Sequence, residues 1–265
     1  MNLREVRIGV YVCAHNECDY IAYCLRSIYY FAHVVAISVN TGSGWGGPSP
    51  APLDDTLELV RSFPDPDGKL LIVPGEWGSE MEQRTATFDL LRPKANYVMT
   101  VDADEVYTQE HLANLRRFVM MRPWVGQFRI RMKTYWKINP FWVIDPPEPY
   151  RRYLISKFRP STRLVGFSRT NERWRCTIPQ RVAIFHHFSY ARPDARIRQK
   201  LAYTSHRDDL VPNWYENVWL KWDEDHSLEN LHPMHPAEYK RAIPVELDSL
   251  PEVMRDHPFA RMGAR

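Results

Sequence analysis

"YVMTVDADEV" runs from Tyr97 to Val106, and its reading decides the rest of the chain. Tyr97 to Val101 is an apolar, β-favouring run; Asp102, Asp104 and Glu105 follow at once. Such a pattern is a buried strand that stops at a polar mouth. Carboxylates this close repel one another, and burying them unpaired is costly. Either they are fully solvated or a positive group lies among them. On extended backbone Asp102 and Asp104 share one face and Glu105 takes the other.

Working outward, the preceding residues alternate between strand and helix patterns. "VRIGVYVC" (Val6 to Cys13) reads as a strand, and "YIAYCLRSIYYFA" as a helix with Ile21, Leu25 and Ile28 on one face and Asp19 available as its cap. "HVVAISV" (His33 to Val39) is a second strand. The Gly/Pro/Ser-rich stretch from Asn40 to Asp55, with Trp45 among glycines, is a long loop with the character of a lid. "TLELVRSF", "KLLIVPG" and "SEMEQRTATFDLLR" continue as helix, strand and helix, the last opened by a Ser79/Glu82 capping box. This succession predicts an α/β fold: a Rossmann-like, mostly parallel central sheet flanked by helices. Ligands of such sheets gather at the carboxyl ends of the strands. The acidic run therefore lies where a ligand is expected, with Cys13 to Glu17, Asn40 and Trp77 at the neighbouring strand ends.

The second half has a different pattern. "QFRIRMKTYWK" alternates like one antiparallel strand, "PYRRYLISKFRP" and "RVAIFHHFSYA" hold further strands, and "DARIRQKLAYTSH" is a helix. The expected division is one main domain over 1–205, in two halves at 1–110 and 111–205. A helical or irregular extension over 206–265 packs on it.

Composition narrows the class. The chain has 265 residues, 44% hydrophobic and 25% charged, enough for a large core. The formal charge of +3 makes no strong claim on nucleic acid. Cys13, Cys18, Cys24 and Cys176 lack zinc-site spacing and read as reduced thiols. "MNLREVRIGVY" has charges followed by a strand-like run instead of an apolar leader, and no run reaches the about 18 apolar residues of a membrane span. A cytoplasmic protein without stable membrane insertion is expected.

Two carboxylates on one face can share a divalent cation; oxygen ligands favour Mg²⁺ or Mn²⁺ completed by phosphate oxygens. Imidazole is a further ligand, and "IFHHFSYARP" offers His186 and His187, which alternation sends to opposite faces. The competing reading is a solvated strand end with acids that cap the next helix.

Together these segments resemble the family 2-type glycosyltransferases of the GT-A fold. The resemblance is carried by "VYVCAHNECDYIAYCLRSI", "GEWGSEMEQRTATFDLL", "YVMTVDADEVYT", "YRRYLISKFRP…NERW" and "FHHFSYAR", and covers roughly residues 6–205. It implies a metal-dependent transfer of a sugar from a nucleotide-diphosphate donor, a UDP-sugar by preference, to an acceptor hydroxyl. It implies Asp104 as direct metal ligand, with Asp102 at the ribose or the metal and Ala103 between them. It implies His187 as the third metal contact, with His186 as alternative. Cys13, Ala14, His15, Asn16, Glu17 and Asn40 would line base and ribose, and Trp77 and Arg84 the donor. The chain departs from the family where the second strand ends in Asn40 instead of Asp; Asp55 and Thr56 stand in for the later part of that run.

An inverting transfer needs a base for the acceptor proton. The order of segments favours Glu172 in "SRTNERW", with Asp145 in "WVIDPPEP" second; a Glu172 paired to a neighbouring Arg is the structural alternative. Arg151, Arg152, Lys157, Arg159 and Arg163 suit an anionic acceptor: a glycan, a lipid-linked sugar or a modified nucleic acid. A sugar-phosphate nucleotidyltransferase would want glycines after the first strand, and "CAHNECD" has none. A non-catalytic carbohydrate- or nucleic-acid-binding module is the remaining alternative.

Overall fold

The computed structural model describes residues 5–45, 52–138, 141–204, 207–224 and 228–261. The first half forms β1 (Ile8–Ala14), α1 (Ile21–Ile28), β2 (Val34–Asn40), α2 (Thr56–Arg61), β3 (Leu70–Gly75), α3 (Glu80–Asp89) and β4 (Tyr97–Asp102). All seven residues of β1 and of β2 are buried, as expected of central strands covered on both faces. After a two-residue turn come β5 (Glu105–Val106) and α4 (Gln109–Met120), then β6 (Gln127–Ile130), β7 (Met132–Trp136), β8 (Trp142–Asp145), β9 (Arg152–Lys157), β10 (Arg175–Thr177), β11 (Phe185–Tyr190) and α5 (Asp194–Tyr203). The C-terminal part adds β12 (Arg241–Pro244) and α6 (Pro258–Arg261) between short turns.

The larger sheet has the order β10-β6-β9-β4-β1-β2-β3, and β4, β1, β2 and β3 run parallel. The expected mostly parallel sheet with helical flanks is present. Because β2 leaves β1 on one side and β4 joins it on the other, the strand order reverses between β1 and β4, and Cys13 sits in register with Asp102 at that switch. A crevice opens outside such a point.

The smaller sheet, β12-β8-β7-β11-β5, corrects two expectations. "QFRIRMKTYWK" is two strands in two sheets, split at Arg131. The stretch expected as a helical or irregular extension also contributes a strand among its described residues: β12 pairs antiparallel with β8 as the edge of the sheet. Trp136, Trp214, Trp219 and Trp222 form one buried cluster across this junction, so these tryptophans are core.

Local capping follows the sequence in one helix and not in another. Ser79 Oγ accepts from the Glu82 N–H at 3.2 Å and caps α3. Asp19 caps nothing; Arg192 and Arg196 each hold its Oδ2 at 3.0 Å, and α1 begins without a side-chain cap. Two guanidinium groups outcompete a backbone N–H for one carboxylate. Of the expected lid, residues 46–51 lie outside the described residues. Trp45 does lie at the cleft, its indole N–H donating to Gln83 Oε1 at 2.7 Å.

Candidate active site

The crevice at the β1/β4 switch is a cleft of about 540 Å³ lined by parts of both sheets. The carboxylates that opened the question are at its floor, and their counter-ions come from the protein itself. Asp102 Oδ1 meets Arg84 Nη2 at 2.6 Å, and its Oδ2 meets Arg152 Nη1 at 2.9 Å. Arg152 also pairs with the fully buried Glu105, whose Oε2 accepts from the Tyr107 hydroxyl at 2.9 Å. Asp104 turns elsewhere: its Oδ2 lies 2.7 Å from Lys200 Nζ and 3.3 Å from Arg192 Nη2. Arg192 further holds Glu17 and Asp19, and Arg196 ties Asp19 to Asp54.

The expected shared face of Asp102 and Asp104 is therefore not what forms. β4 ends at Asp102 and the backbone turns at Ala103–Asp104, so strand alternation does not carry through. The acids divide instead as Asp102 with Glu105 about Arg152, and Asp104 with Glu17 about Arg192 and Lys200.

Burial pushes the Asp102 carboxyl up, but Arg152 and Arg84 outweigh it and hold it at about 2. Burial likewise opposes ionisation of Asp104, and Lys200, His187 and Arg192 overcome it, holding it far below the usual carboxylate range. Among the described residues each network counts one more carboxylate than cations. Glu80, Asp102 and Glu105 share two arginines; Glu17, Asp19, Asp54 and Asp104 share Arg192, Arg196 and Lys200. The cleft floor is anionic overall even though single donors point nowhere: Arg84 Nη1 and Arg152 Nη2 are buried without hydrogen-bond partners.

The paired histidines separate as alternation requires. His187 lines the cleft with Nε2 3.6 Å from Asp104 Oδ1, and burial keeps its ring below the ordinary value despite Asp104. His186 faces away; its Nδ1 contacts the Tyr135 hydroxyl at 2.8 Å, and burial pulls it down to about 3.

Opposite the floor, the smaller sheet and the C-terminal part bring a second acidic group. Ligand atoms of Glu148, His232 and Glu238 all lie within 4.8 Å of one another, and all three residues line the cleft. Asp102, Asp104 and His187 are not gathered into such a group among the described residues. Burial raises the Glu148 carboxyl to about 7, against the Thr134 hydrogen bond and with the help of Glu238. His232 Nδ1 accepts from the backbone N–H of Met234 at 3.0 Å and of His235 at 2.9 Å, which places its ring proton on Nε2. A nitrogen that carries a proton donates and does not ligate. This trio is a carboxylate pair beside a neutral imidazole.

The other expected residues are scattered. Cys13, His15, Glu17, Ala103 and Arg84 line the cleft; Arg84 is buried and not a surface residue of its helix. Asn16 and Asn40 line a separate pocket of about 240 Å³, where Asn16 Oδ1 accepts from the Asp54 N–H at 3.0 Å. Ala14 is fully buried in the core, and Trp77 lies over Gly75 outside the cleft lining. Asp54, not Asp55, partners Thr56, and Thr56 Oγ1 in turn accepts from the Glu17 N–H at 2.7 Å.

Neither expected base reaches the cleft. Glu172 is held by Thr162 at 2.7 Å and Arg159 at 2.9 Å beside a different groove. Asp145, at the end of β8, pairs with Arg241 at 2.7 Å. The residue that does reach it, Glu148, lies three positions beyond Asp145, and a carboxylate boxed between Pro147 and Pro149 was its only sequence signal. Arg192, Arg196 and Lys200 were also missed; Arg196 and Lys200, four apart, share one face of α5, and Arg192 lies just before it.

No protein-family model matches the sequence, and no curated protein matches it. Among solved structures the chain is similar to TarS 1–349 of S. aureus at 14% identity and TM-score 0.44, over 74% of this chain and 64% of that one. It thus spans less than two thirds of that relative. The same protein in complex with UDP gives 12% identity and TM-score 0.44, over 83% and 74% of the two chains. The 4-diphosphocytidyl-2C-methyl-D-erythritol synthase of Anaerococcus prevotii DSM 20548 gives 12% identity and TM-score 0.41, over 75% and 97%.

Proposed function

We propose that this chain is a GT-A-type glycosyltransferase that moves a sugar from a nucleotide-diphosphate donor, a UDP-sugar by preference, to an acceptor hydroxyl. One observation carries the reading. Two guanidinium groups, Arg84 and Arg152, line the cleft and flank Asp102 at the strand ends. A pair of guanidinium groups at strand ends suits the oxygens of a diphosphate.

A divalent cation fits the remaining chemistry. His187 Nε2 and Asp104 Oδ1 are 3.6 Å apart, too far for a hydrogen bond and suited to two ligands of one ion. His187 Nδ1 has no partner either, so neither ring nitrogen is committed. Asp104 and His187 would hold the cation, Mn²⁺ or Mg²⁺, and Asp102 is held too firmly by its arginines to be more than an outer contact. When bound, the cation supplies positive charge that offsets both the anionic floor and the diphosphate.

Glu148 replaces Glu172 and Asp145 as the base. It lines the cleft, it is buried, and its carboxyl titrates near neutrality. It accepts the acceptor hydroxyl proton as that oxygen bonds to the anomeric carbon; the bond to the diphosphate breaks in the same displacement, with inversion.

Incubation with a panel of nucleotide-sugars and Mn²⁺ tests the reading. Release of a nucleoside diphosphate supports it. Release of pyrophosphate from a nucleoside triphosphate and a sugar phosphate would replace it with nucleotidyl transfer, and binding without turnover of any donor would leave a binding module.

A further inference from the structure

The segment between β9 and β11 carries a surface that the reaction does not use. Arg159, Arg163, Arg169, Arg173, Arg175 and Arg181 are all exposed. Glu172 is the one acidic residue from 157 to 181, and it is buried. Only Arg159 has a carboxylate partner among the described residues. A solvated face normally intersperses both signs; this one is a single-sign field. The choice of Arg at all six positions favours phosphate, which a guanidinium grips with two parallel N–H bonds.

The surface is also built, not loose. A groove of about 600 Å³ runs along Val165 and 169–175. The Gly126 and Gln127 N–H groups both donate to the Trp174 carbonyl, at 2.8 and 3.1 Å. Gln127 Oε1 accepts from the Thr170 N–H at 3.0 Å, and Glu172 is fixed from inside by Thr162. Gly126 is required here: a Cβ would come within 1.9 Å of the Arg173 carbonyl oxygen. On this fixed frame Trp174 stands 76% exposed at φ 58°, a conformation that a bulky side chain rarely adopts. The indole is largely open to solvent, yet the backbone is strained to present it. Beside it Arg129 and Arg175 lie over the Tyr153 ring at 6.0 and 5.6 Å.

We propose that this face docks single-stranded nucleic acid, with its phosphates on the arginines and a base stacked on Trp174. Aromatic platforms within a basic groove are how such strands are held without sequence preference. The apolar side chains stand singly among arginines, which suits stacking better than insertion into lipid. Phe167 and Ser168 line the catalytic cleft while Val165 and Arg169 line the groove, so a docked strand reaches the cleft mouth. The proposal does not rest on the sugar-transfer reading.

Anisotropy of fluorescein-labelled dT15 and rU15 tests it, with inorganic polyphosphate and phosphatidylglycerol vesicles as the other arms. The expected result is binding of an oligonucleotide that weakens steeply with salt, by a slope of about −0.7 per phosphate neutralised. Trp174→Ala should weaken it roughly tenfold, within the range for loss of one stacked base, and the triple variant Arg169→Ala/Arg173→Ala/Arg175→Ala by at least as much. Polyphosphate that competes as well as the oligonucleotide while Trp174→Ala is silent would overturn the proposal, as would binding to vesicles alone or no binding by the wild type. Circular dichroism and Mn²⁺-dependent UDP binding of the variants report the fold and the cleft independently. Failure of UDP binding in the wild type would count against sugar transfer and leave the docking result standing.

Discussion

Glu148→Gln should make the protein more stable at pH 8 while removing most of its activity. Glu148 is 4% exposed and titrates at about 7 in the fold against a reference of 4.5. Below pH 4.5 the carboxyl is protonated in the folded and unfolded chain, and nothing is gained by the amide. Between 4.5 and 7 the unfolded chain ionises freely while the folded chain resists, so folding loses stability as pH rises. Above 7 the loss is complete, about 3 kcal/mol at 1.36 kcal/mol for each pH unit of displacement. The amide cannot ionise and avoids it. At roughly 2–4 °C per kcal/mol for a chain of this size, the variant should melt roughly 6–12 °C above wild type at pH 8. The measurement is thermal unfolding of both proteins from pH 4.5 to 8, with the pH 4.5 difference as reference for packing. A difference that does not change with pH, or a variant less stable at pH 8 than at 4.5 relative to wild type, refutes the reasoning. Turnover of the variant should fall by about 10²–10⁴, the usual weight of a general base, with donor KM little changed.

Arg192→Met leaves Glu17, Asp19 and Asp104 without a shared guanidinium that is itself 1% exposed, and should cost about 3–5 kcal/mol in urea unfolding; a loss under about 1 kcal/mol would show that the network is dispensable. Glu172→Gln should leave turnover within about twofold, since the residue lies outside the cleft, and lower stability by about 1–3 kcal/mol through its Thr162 and Arg159 contacts. A collapse of turnover at unchanged stability would restore Glu172 as the base.

Sequence and structure agree where the physics is local. The buried strands follow from continuous apolar runs, the Ser79 cap from its Ser-x-x-Glu spacing, and the opposite facing of His186 and His187 from the two-residue strand period. The site is legible only up to the point where backbone regularity ends. Asp102 and Asp104 part company because the chain turns between them, and no alternation rule sees a turn of two residues. What neutralises them comes from Arg84, 18 residues before Asp102, and from α5, 96 residues after Asp104. Those partners are tertiary, and only the four-residue spacing of Arg196 and Lys200 within α5 is local. Glu148 was hidden for the opposite reason. Burial raises its carboxyl, helped by Glu238 from the C-terminal part, and a proline-rich loop gives no hint of burial.

The central claim is that an anionic floor flanked by Arg84 and Arg152 takes a diphosphate together with a divalent cation. Calorimetric titration of UDP into the protein, with Mn²⁺ and then with excess chelator, tests it most directly. The account predicts binding with Mn²⁺ that weakens at least about tenfold in chelator, the equivalent of 1.4 kcal/mol. Equal affinity in chelator would contradict the role given to Asp104 and His187, and no binding under either condition would contradict the nucleotide site itself.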